Sequence, residues 1–453
     1  MSDPMYRDSL LGEPNHTILQ YTSSMKEDAA IAEEVIQSLM AHVRGLTEQA
    51  LIPGEKGEIL LKELNNLLDD PSPLFSLESE DIHEALETYL KALLGNDEGY
   101  LAFGKSRNDH IAAALRLKTK NMLLSQIQEL IAFREILYEE IKKSLYIIMP
   151  AFTHLQPAQP STFAHYLSYI EEMLSIYTET LFFALGIVDK SPLGAGAVCG
   201  TRVPLDRKAL SRGIFHGVVQ NSIAATSTRD FFTLACSVDT NLSVFLSRIA
   251  EDLIFFSTPQ FQYITVHPEH LSTSSMMPQK KNVITMEVAR AWGAESIGHL
   301  TALLTICKGL PTGYNLDLQE ANKHGIRILK RTLDTIKIFS LIFKNIQVCQ
   351  ENLLRDSTIF PILATDIAEE ISLQTKEPYR CVYEKVAQIV KKSTSTEDFY
   401  HKIKTAYNIS IDLHKGLEKP VMGSPNPEHV ITYLNSALTK ITGDKKRIDE
   451  CRR

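Results

Sequence analysis

The densest group of reactive side chains lies at residues 272–283, STSSMMPQKKNV, which hold three serines and two lysines around one proline. A serine hydroxyl is a poor base, but nearby positive charge stabilises its anion. The composition therefore favours a serine that a neighbouring lysine makes basic enough to remove a proton from carbon. A solvated loop between two helices is the simpler alternative.

A second polar group, GKSRNDH at residues 104–110, precedes the longest segment of helical periodicity. Ser106, Asn108 and Asp109 are residue types that cap helix N-termini, so helix initiation alone explains one or two of them. Arginine, serine and asparagine at the positive end of a helix also bind a carboxylate. This segment alone leaves both interpretations open.

Three further polar groups are each weak when taken singly. Thr153, His154 and Gln156 lie between prolines, and a lone histidine is more often structural than catalytic. The other two groups have the composition of ordinary surface segments. The three are PAFTHLQPAQP at 150–160, NSIAATSTRDFF at 221–232 and GLPTGYNLDLQEANK at 309–323.

Cofactor motifs are not indicated. The glycines of SPLGAGAVCGTR, residues 191–202, lack dinucleotide-binding spacing and follow no expected strand, so we reject a Rossmann-type site. Six cysteines are widely scattered without metal-ligand spacing, which favours free thiols in a reducing compartment. The spacing thus suggests neither a metal nor an organic cofactor.

The polar groups are separated by long segments in which apolar residues recur every three or four positions. This periodicity predicts long helices. Several are apolar on more than one face, as in LSVFLSRIAEDLIFF, so we expect a central bundle that also packs against other subunits. The expected helices cover residues 108–149, 162–185, 218–258, 284–308 and 326–360.

Strands are expected only within FQYITV, residues 261–266, and as a short pair near residues 192–203. The predicted fold class is therefore all-α. Turn-rich and charged segments suggest three domains. These are an N-terminal helical domain (1–105), a central long-helix domain that carries the reactive loop (106–357) and a small C-terminal helical domain (358–453).

Bulk composition narrows the range of partners. The 453 residues carry a formal net charge of −8, which argues against a general nucleic-acid binder. No apolar run approaches the roughly 20 residues of a membrane-spanning helix. The first 16 residues lack a basic segment followed by an apolar run, so no signal peptide is expected. We expect a cytoplasmic protein, and this composition is compatible with a local basic pocket for an anionic substrate.

The order of the polar groups along the chain is specific. SRND, THLQPAQP, PLGAGA, NS..A.S.RDF, SS.MPQKKN and GLP..YN.DLQE follow one another, flanked by EDIHEALE upstream and ATDIAEE downstream. Together these motifs resemble the argininosuccinate lyase branch of the fumarase/aspartase superfamily, from about Ser24 into the C-terminal domain. The combination of MPQKKN with SRND is typical of this branch rather than of fumarases or adenylosuccinate lyases.

The resemblance implies a carbon–nitrogen lyase that releases fumarate by β-elimination, as in the cleavage of argininosuccinate to arginine and fumarate in arginine biosynthesis. Its intermediate is a doubly charged aci-carboxylate, so fixed donors must stabilise the developing negative charge. The resemblance also implies a three-domain fold, a homotetramer with 222 symmetry whose long helices form the core, and sites shared between subunits. It implies no metal and no cofactor.

The resemblance also assigns roles by position. Ser274 matches the catalytic base, Lys280 the cation that stabilises its anion and holds a fumaryl carboxylate, and His154 the group that protonates the leaving amine. Tyr314 and Gln319 match residues at the amino-acid end of the substrate. The complete set of substrate-binding positions is Ser24, Asp28, Ser106, Arg107, Asn108, Thr153, Gln156, Arg229, Asn282, Tyr314, Gln319 and Asn322.

Departures from the family pattern concern the amine half of the substrate. Asn322 stands where a lysine is usual, with Lys323 adjacent, and one position turns a helical side chain by about 100°. Ala224 replaces an aspartate. Three hypotheses therefore stay open: an argininosuccinate lyase, a paralogous lyase that releases fumarate from another N-substituted aspartate, and a catalytically inert relative.

Other departures lie near the reactive segments. Thr273 replaces a glycine and Val283 a proline, which change the stiffness of the loop in opposite directions. His110 stands where glutamine is usual. His154, Ser274 and Lys280 are all present, which favours a working lyase.

Overall fold

The computed structural model describes residues 15–452, and helices dominate this part of the chain. The all-α class is therefore confirmed. Within the described residues the helices are α1 His16–Thr22, α2 Met25–Asp28, α3 Ala32–Glu48, α4 Gly54–Asp69, α5 Ile82–Leu94, α6 Arg107–Lys143, α7 Phe163–Val188, α8 Arg207–Ser211, α9 Ser222–Thr226, α10 Asp230–Ser257, α11 Ile284–Cys307, α12 Asp317–Lys344, α13 Gln350–Ile359, α14 Ala364–Thr375, α15 Tyr379–Lys392, α16 Thr396–Tyr407, α17 Leu413–Leu417 and α18 Pro427–Cys451.

The strands are short and form two-stranded pairs. The longest pair is the antiparallel hairpin of β1 and β2; β3 pairs with β4, β5 with β8 and β6 with β7. Their bounds are β1 Ile148–Thr153, β2 Gln156–Thr162, β3 Lys190–Ser191, β4 Gly217–Val218, β5 Ile264–Thr265, β6 Ser272–Thr273, β7 Lys281–Asn282 and β8 Gln347–Val348.

The five longest helices of the centre, α6, α7, α10, α11 and α12, pack side by side as the predicted bundle. The helices α10 and α12 run in the same direction, because Cys236 contacts Gly325 at one level and Ser243 contacts Thr332 two turns further on. The helices α6 and α12 are likewise parallel, because Gln126 donates a hydrogen bond to the Leu329 carbonyl and, further along both helices, Phe133 packs on Phe343.

The remaining two bundle helices run in the opposite direction. In α7, Glu171 pairs with Arg134 while Asp189, just beyond its end, pairs with Lys120, so α7 is antiparallel to α6. The helix α11 runs antiparallel to α10 at close range, because Arg290 pairs with Glu251 while a Cβ at Gly293, further along α11, would come within 2.6 Å of Ser247, one turn earlier in α10. The bundle therefore has two distinct ends: α6, α10 and α12 begin at one, and α7 and α11 begin at the other.

Several expected helices differ from the observed ones. The expected helix at 108–149 ends at Lys143, because the apolar, partly β-branched run before Pro150 enters the strand β1 instead. The expectation at 218–258 is wrong before Asp230, where β4 and the short helix α9 precede α10. The segment 326–360 breaks at β8 into α12 and α13.

Other sequence expectations are confirmed in part. The helices expected at 162–185 and 284–308 correspond to α7 and α11, and the strand expected within FQYITV is β5. The strand pair expected near 192–203 is wrong, because β3 and β4 flank that segment. The hairpin of β1 and β2 was not expected. Strands of six or seven residues that pair across a turn leave too short an apolar pattern in the sequence to be recognised.

Separate buried clusters lie in the N-terminal unit, in the bundle and in the helices α14–α16. The helix α18 joins the bundle cluster through Val430, Leu434, Ile441 and Ile448, although it follows the small C-terminal helices in sequence. The domain boundaries at 105 and 357 therefore stay a prediction. The signal-peptide expectation lies mostly outside the described residues, which begin at Asn15.

Helix length and composition also bear on membranes. Between residues 15 and 452, no helix combines the length and the apolar character that crossing a lipid bilayer requires.

Candidate active site

A pocket of about 180 Å³ lies where the N-terminal unit meets the starting ends of α6 and α12. Its walls combine acidic, amide and cationic groups with a tyrosine, as expected of a site for a small charged molecule. Six predicted site residues meet in this region of a single chain. Asp28, Arg107, Asn108, Tyr314 and Gln319 line the pocket, and Ser24 supports it through hydrogen bonds.

A chain of hydrogen bonds ties two distant segments of the chain together at this pocket. Tyr314 donates from its hydroxyl to Gln319 Oε1 (3.4 Å), and Gln319 Nε2 donates to Ser24 Oγ. Ser24 Oγ donates in turn to Asp28 Oδ2 at 2.7 Å. These bonds fix the side chains before any substrate arrives, which lowers the cost of ordering them on binding.

Asp28 is 4% exposed, and its Oδ2 also accepts from the backbone N–H of Ile82 at 3.2 Å. Burial raises the pKa of Asp28 to about 6, against the opposing effect of its hydrogen bonds from Ser24 and Ile82. A buried carboxyl of this kind gains a partner, and its charge, when an ammonium or guanidinium group enters the pocket.

Arg107 is the first residue of α6 and contacts acids from the N-terminal unit. Its Nη1 lies 3.1 Å from Asp81 Oδ2 and 3.5 Å from Glu80 Oε2. The guanidinium thus stands at the positive end of a 37-residue helix, where backbone N–H groups add to its attraction for anions.

The SRND motif lies at the start of α6, where its residues cap the helix and also face the pocket. Ser106 caps α6, because its Oγ accepts from the Asn108 N–H at 3.2 Å while Asp109 Oδ1 accepts from the Ser106 N–H at 2.9 Å. Asp109 also accepts from Gly196 N at 3.0 Å, which anchors the glycine-rich loop. Asn108 donates to the Ala197 carbonyl at 3.4 Å and faces the pocket.

Arg229 and Asn322 are both buried close to this region, with 2% and 5% exposure. Lys323, by contrast, is exposed and forms an ion pair with Glu320 at 2.5 Å. The structure therefore turns Asn322 inward and Lys323 outward, so Lys323 does not replace an inward-facing cation at position 322. Ala224 is exposed on α9.

His154 lies in the turn that joins β1 to β2. Thr153 pairs with Gln156, which leaves His154 and Leu155 as a two-residue turn with positive φ angles of 53° and 60°. Such a turn favours glycine and asparagine, so histidine and leucine there store backbone strain. All four of these side chains are exposed, and Leu155 is 80% exposed.

Ser274 and Lys280 are the first and last residues of the loop that joins β6 to β7. The hairpin pairs Thr273 with Lys281, so Ser274 and Lys280 each lie one residue beyond the last paired position. Ser274 Oγ accepts from the backbone N–H groups of Met276 (3.2 Å) and Met277 (3.0 Å). Two donors on one hydroxyl oxygen favour its anionic form.

The segment around this loop combines exposed and anchored residues. Met276 is 87% exposed, and Lys280 is exposed as well. Asn282 is half-buried in β7, and Val283 is buried just before α11, so the hairpin is fixed at its base and free at its tip.

Both hairpins lie at the end of the bundle opposite to the pocket. The β1–β2 hairpin begins just after the end of α6, a helix about 55 Å long. Its strand β1 has six residues and extends only about 20 Å, so the hairpin cannot reach back to the start of α6. Near its tip, Phe152 packs on Phe261 and Tyr263, which follow α10. The loop with Ser274 precedes α11, which begins at that same end. Within one chain, the two hairpins therefore lie far from the pocket.

Three pocket residues were missed as site residues by the sequence reasoning. Glu80, Asp81 and His83 line the cavity, and His83 is 2% exposed. The signal was present in EDIHEALE, which was noted only as a family motif. Asp81 also caps α5 by accepting from the Glu84 N–H at 2.8 Å, a role that conceals its second position beside Arg107.

Comparison with known proteins adds to this geometry. A family model described as "Lyase" matches residues 13–298. The argininosuccinate lyase of Pyrococcus furiosus is 53% identical over 448 residues, covering 99% of this chain and 98% of that protein. The chain belongs to the argininosuccinate lyase family. That of Sulfolobus acidocaldarius is 41% identical, covering 92% of this chain and 89% of that protein.

Solved structures support the superfamily fold. An EDDS lyase in complex with formate superposes with a TM-score of 0.84 at 24% identity, covering 93% of this chain and 88% of that one. A class II fumarase from Schistosoma mansoni gives a TM-score of 0.64 at 15% identity, covering 84% and 91%. These structures show the shared fold, while the family model and the argininosuccinate lyase relatives confirm membership of the fumarase/aspartase superfamily and a carbon–nitrogen lyase.

Proposed function

We propose that the protein cleaves argininosuccinate by β-elimination to arginine and fumarate, as a step of arginine biosynthesis. The near full-length similarity to argininosuccinate lyases carries this proposal. The pocket supports it, because Asp28, Glu80 and Asp81 suit the cationic groups of the arginine half and Arg107 suits a carboxylate. The family resemblance implies neither a metal nor an organic cofactor for this reaction.

In this proposal Ser274 removes a proton from Cβ, the methylene carbon of the succinyl half, while the amine leaves from the neighbouring carbon. The N–H groups of Met276 and Met277 already donate to its oxygen, and Lys280 lies at the other end of the same loop. These donors lower the cost of the alkoxide that must form before proton transfer. Lys280 and Asn282 then hold the carboxylates as the aci-carboxylate charge develops.

His154 is assigned to protonation of the leaving amine. Its strained turn leaves the imidazole exposed, and histidine is the side chain most often used for proton transfer in enzymes. Thr153 and Gln156 flank it, and Ser106 and Asn108 are assigned to substrate carboxylates at the start of α6. These roles rest on matching family positions.

We also propose a homotetramer whose sites combine residues of different subunits. Chemistry-bearing hairpins and the binding pocket lie at opposite ends of one bundle, so a single chain cannot assemble both. Large apolar side chains stay exposed on the bundle helices, which supports packing against further copies. They include Ile176 and Phe183 on α7 and Val288, Ile297 and Leu304 on α11.

The alternative of a lyase for another N-substituted aspartate is not favoured, because the relatives that match most of the chain are named argininosuccinate lyases. An inert relative is not favoured either, since the proposed base keeps both of its backbone donors. A cytoplasmic location stays a prediction; the six free cysteines are in keeping with a reducing compartment.

The decisive experiment mixes purified protein with argininosuccinate and follows fumarate by its ultraviolet absorbance. We expect fumarate release by the natural protein and a loss of about 10³-fold in Ser274→Ala. Ser275→Ala, which changes the adjacent exposed serine, is the matched control and should keep its activity.

Two results would contradict parts of this proposal. Absence of fumarate with the natural protein would reject argininosuccinate as the substrate. In that case the reverse reaction, with fumarate and a panel of amines, would distinguish another lyase from an inert relative. Full activity of Ser274→Ala would reject the assigned base while leaving the lyase reaction intact.

A further inference from the structure

A second cavity, of about 380 Å³, lies at the hairpin end of the bundle, opposite to the pocket. Its walls come from the β1–β2 hairpin, the start of α7, the last turns of α10 and the segment between α10 and β5. Small-molecule sites usually measure roughly 300–1,000 Å³, so this cavity is large enough to hold a ligand.

Aromatic side chains dominate the walls of this cavity. Neighbouring rings pack edge to face, with centroids 5.6 Å apart for Tyr166 and Phe256 and 6.4 Å apart for Phe255 and Phe261. These contacts hold the rings in place before a ligand arrives. The face of an aromatic ring attracts a cation, so walls of this kind favour a positively charged guest. The six aromatic residues are Phe152, Tyr166, Tyr169, Phe255, Phe256 and Phe261.

The charge in the cavity comes from Asp252. Among the described residues that line the cavity it is the acid, and lysine and arginine are absent from that lining. Its Oδ2 accepts from the Tyr166 hydroxyl at 3.1 Å, whereas no hydrogen bond reaches its Oδ1 within residues 15–452. Burial raises the pKa of Asp252, and the bond from Tyr166 and the positive charge of Arg248 oppose that rise. A cation beside Oδ1 would therefore stabilise the carboxylate.

The groups around Asp252 leave this place for a cation open. Arg248, one turn earlier on α10, forms no ion pair with Asp252 in the described part of the chain. His165 is engaged at both ring nitrogens, with Ser161 Oγ at 2.9 Å and with the Gly423 carbonyl at 3.0 Å. A neutral ring satisfies both contacts, because it accepts at Nδ1 and donates from Nε2. His165 thus needs no positive charge to hold its position.

We propose that this cavity binds a small organic cation with an apolar body, such as an arylalkyl ammonium. Its cationic group lies against Asp252 and its apolar body lies among the aromatic rings. Charge complementarity selects this occupant, because an apolar side chain of a second subunit would cover the carboxylate without compensating its charge. The site is separate from the pocket at the starts of α6 and α12, and the inference does not depend on which substrate the lyase cleaves.

Calorimetric titration of the natural protein with 2-phenylethylamine tests the proposal. The uncharged 2-phenylethanol has the same ring and chain length, and should bind at least about 10-fold more weakly because it lacks the charged contact with Asp252. Asp252→Asn should weaken amine binding by about 10-fold and leave alcohol binding unchanged. The substitution keeps the shape of the side chain and an oxygen that accepts from Tyr166, so the fold should be retained.

A second variant changes the aromatic wall instead of the charge. Phe255 is 41% exposed, so Phe255→Leu should disturb the fold little. It should weaken amine binding by about 3-fold, because the leucine side chain has no ring face for the cation. Thermal unfolding followed by circular dichroism establishes that each variant is folded.

Two controls locate the binding. Glu251→Gln changes the neighbouring acid on α10, which pairs with Arg290 at 2.5 Å, and should bind the amine as the natural protein does. Asp28 and Asp81 in the pocket also attract an ammonium, so the titration is repeated with Asp28→Asn. Binding to the cavity should persist in that variant.

The inference is overturned if the natural protein does not bind the amine, as when a neighbouring subunit fills the cavity, or if amine and alcohol bind equally well. A folded Asp252→Asn that keeps the natural affinity also overturns it, as does an equal loss in Glu251→Gln. Loss of binding in Asp28→Asn alone would place the amine in the pocket and reject the second site. These titrations contain no argininosuccinate, so their failure is distinct from a failure of the proposed function.

Discussion

The pocket at the start of α12 and the hairpins at the other end of the bundle are built in contrasting ways. In the pocket, Ser24, Asp28 and Gln319 are linked by hydrogen bonds, and Ser24, Asp28, Asp81 and His83 are buried. At the hairpin tips, His154 and Lys280 are exposed. The proposed binding groups are thus ordered within one chain, whereas the side chains proposed for the chemistry are exposed at its surface.

This contrast has a physical reason. A binding pocket discriminates best when its donors and acceptors are fixed in advance, because less ordering is needed when the substrate binds. A serine that must lose a proton requires donors around its oxygen and exclusion of water at the moment of reaction. Two backbone N–H groups supply the first need at Ser274, and the proposed neighbouring subunits supply the second.

The sharpest test of the comparison mixes two inactive variants, Ser274→Ala from a hairpin and Arg107→Gln from the pocket. Each alone should lose activity by about 10³-fold. If each site joins the pocket of one subunit to the hairpin of another, co-refolded mixtures should regain activity in roughly one site in four. Fumarate formation at equal total protein measures the recovery.

The control for this experiment mixes Ser274→Ala with Lys280→Met, which lie on the same hairpin. That mixture should stay inactive. If activity recovers only in this control mixture, or does not recover in the first mixture, the site does not combine the pocket of one subunit with the hairpin of another.

The next largest effect is expected at Lys280, on the hairpin. Lys280→Met should lower kcat by about 100-fold with little change in KM, because the ammonium acts on charge that develops only during the reaction. Steady-state kinetics with argininosuccinate measure both constants. Lys281→Met, one residue further in β7, is the matched control; an equal loss there would mean that general positive charge, and not Lys280, is required.

The pocket should show its own pH dependence through Asp28. Its pKa of about 6 means that the ionised fraction, which binds a cationic substrate, rises as the pH increases through 6. We expect 1/KM to rise about 10-fold between pH 5 and pH 7, and Asp28→Asn to remove that rise. Glu27→Gln, the exposed neighbour, should retain it. A rise that persists in Asp28→Asn would assign the titration to another group.

The smallest effect concerns stability, in the wall behind the pocket. His110 is fully buried, and burial holds its pKa well below 6.5, followed by repulsion from Lys105 and His42. Because the folded pKa is below the unfolded one, its stabilising effect is present above about pH 6.5 and is lost as the pH falls. When the pH falls from 7 to 5, the unfolding free energy of the natural protein should therefore fall by about 2 kcal/mol more than that of His110→Gln.

Urea unfolding at the two pH values checks this expectation. Parallel losses in both proteins would contradict it. Ser274→Ala serves as the comparison from the hairpin and should follow the natural protein, because its substitution removes no buried titratable group.

Periodicity predicted the helices well where both faces of a helix meet only other helices. The segments 162–185 and 284–308 became α7 and α11 with small shifts at their ends. It failed at 144–162, where β1 pairs with β2, because the partner of each residue there is set across a turn and leaves no helical or long alternating pattern. It failed again at 345–349, where β8 depends on pairing with the distant β5.

The sequence by itself determined the chemistry that is available: a serine close to lysine in one segment, SRND at a helix start and a histidine between prolines. It also determined the helical class, since apolar spacing is a local property of the chain. Only the tertiary structure decided which of these groups meet.

Ser24, Arg107 and Gln319 converge because α2, α6 and α12 begin at the same end of the bundle, whereas Ser274 and His154 lie at the other. Likewise, the inward face of α12 selects Asn322 and sends Lys323 to the surface. Helix direction and rotation follow from long-range packing, and spacing along the chain does not encode them.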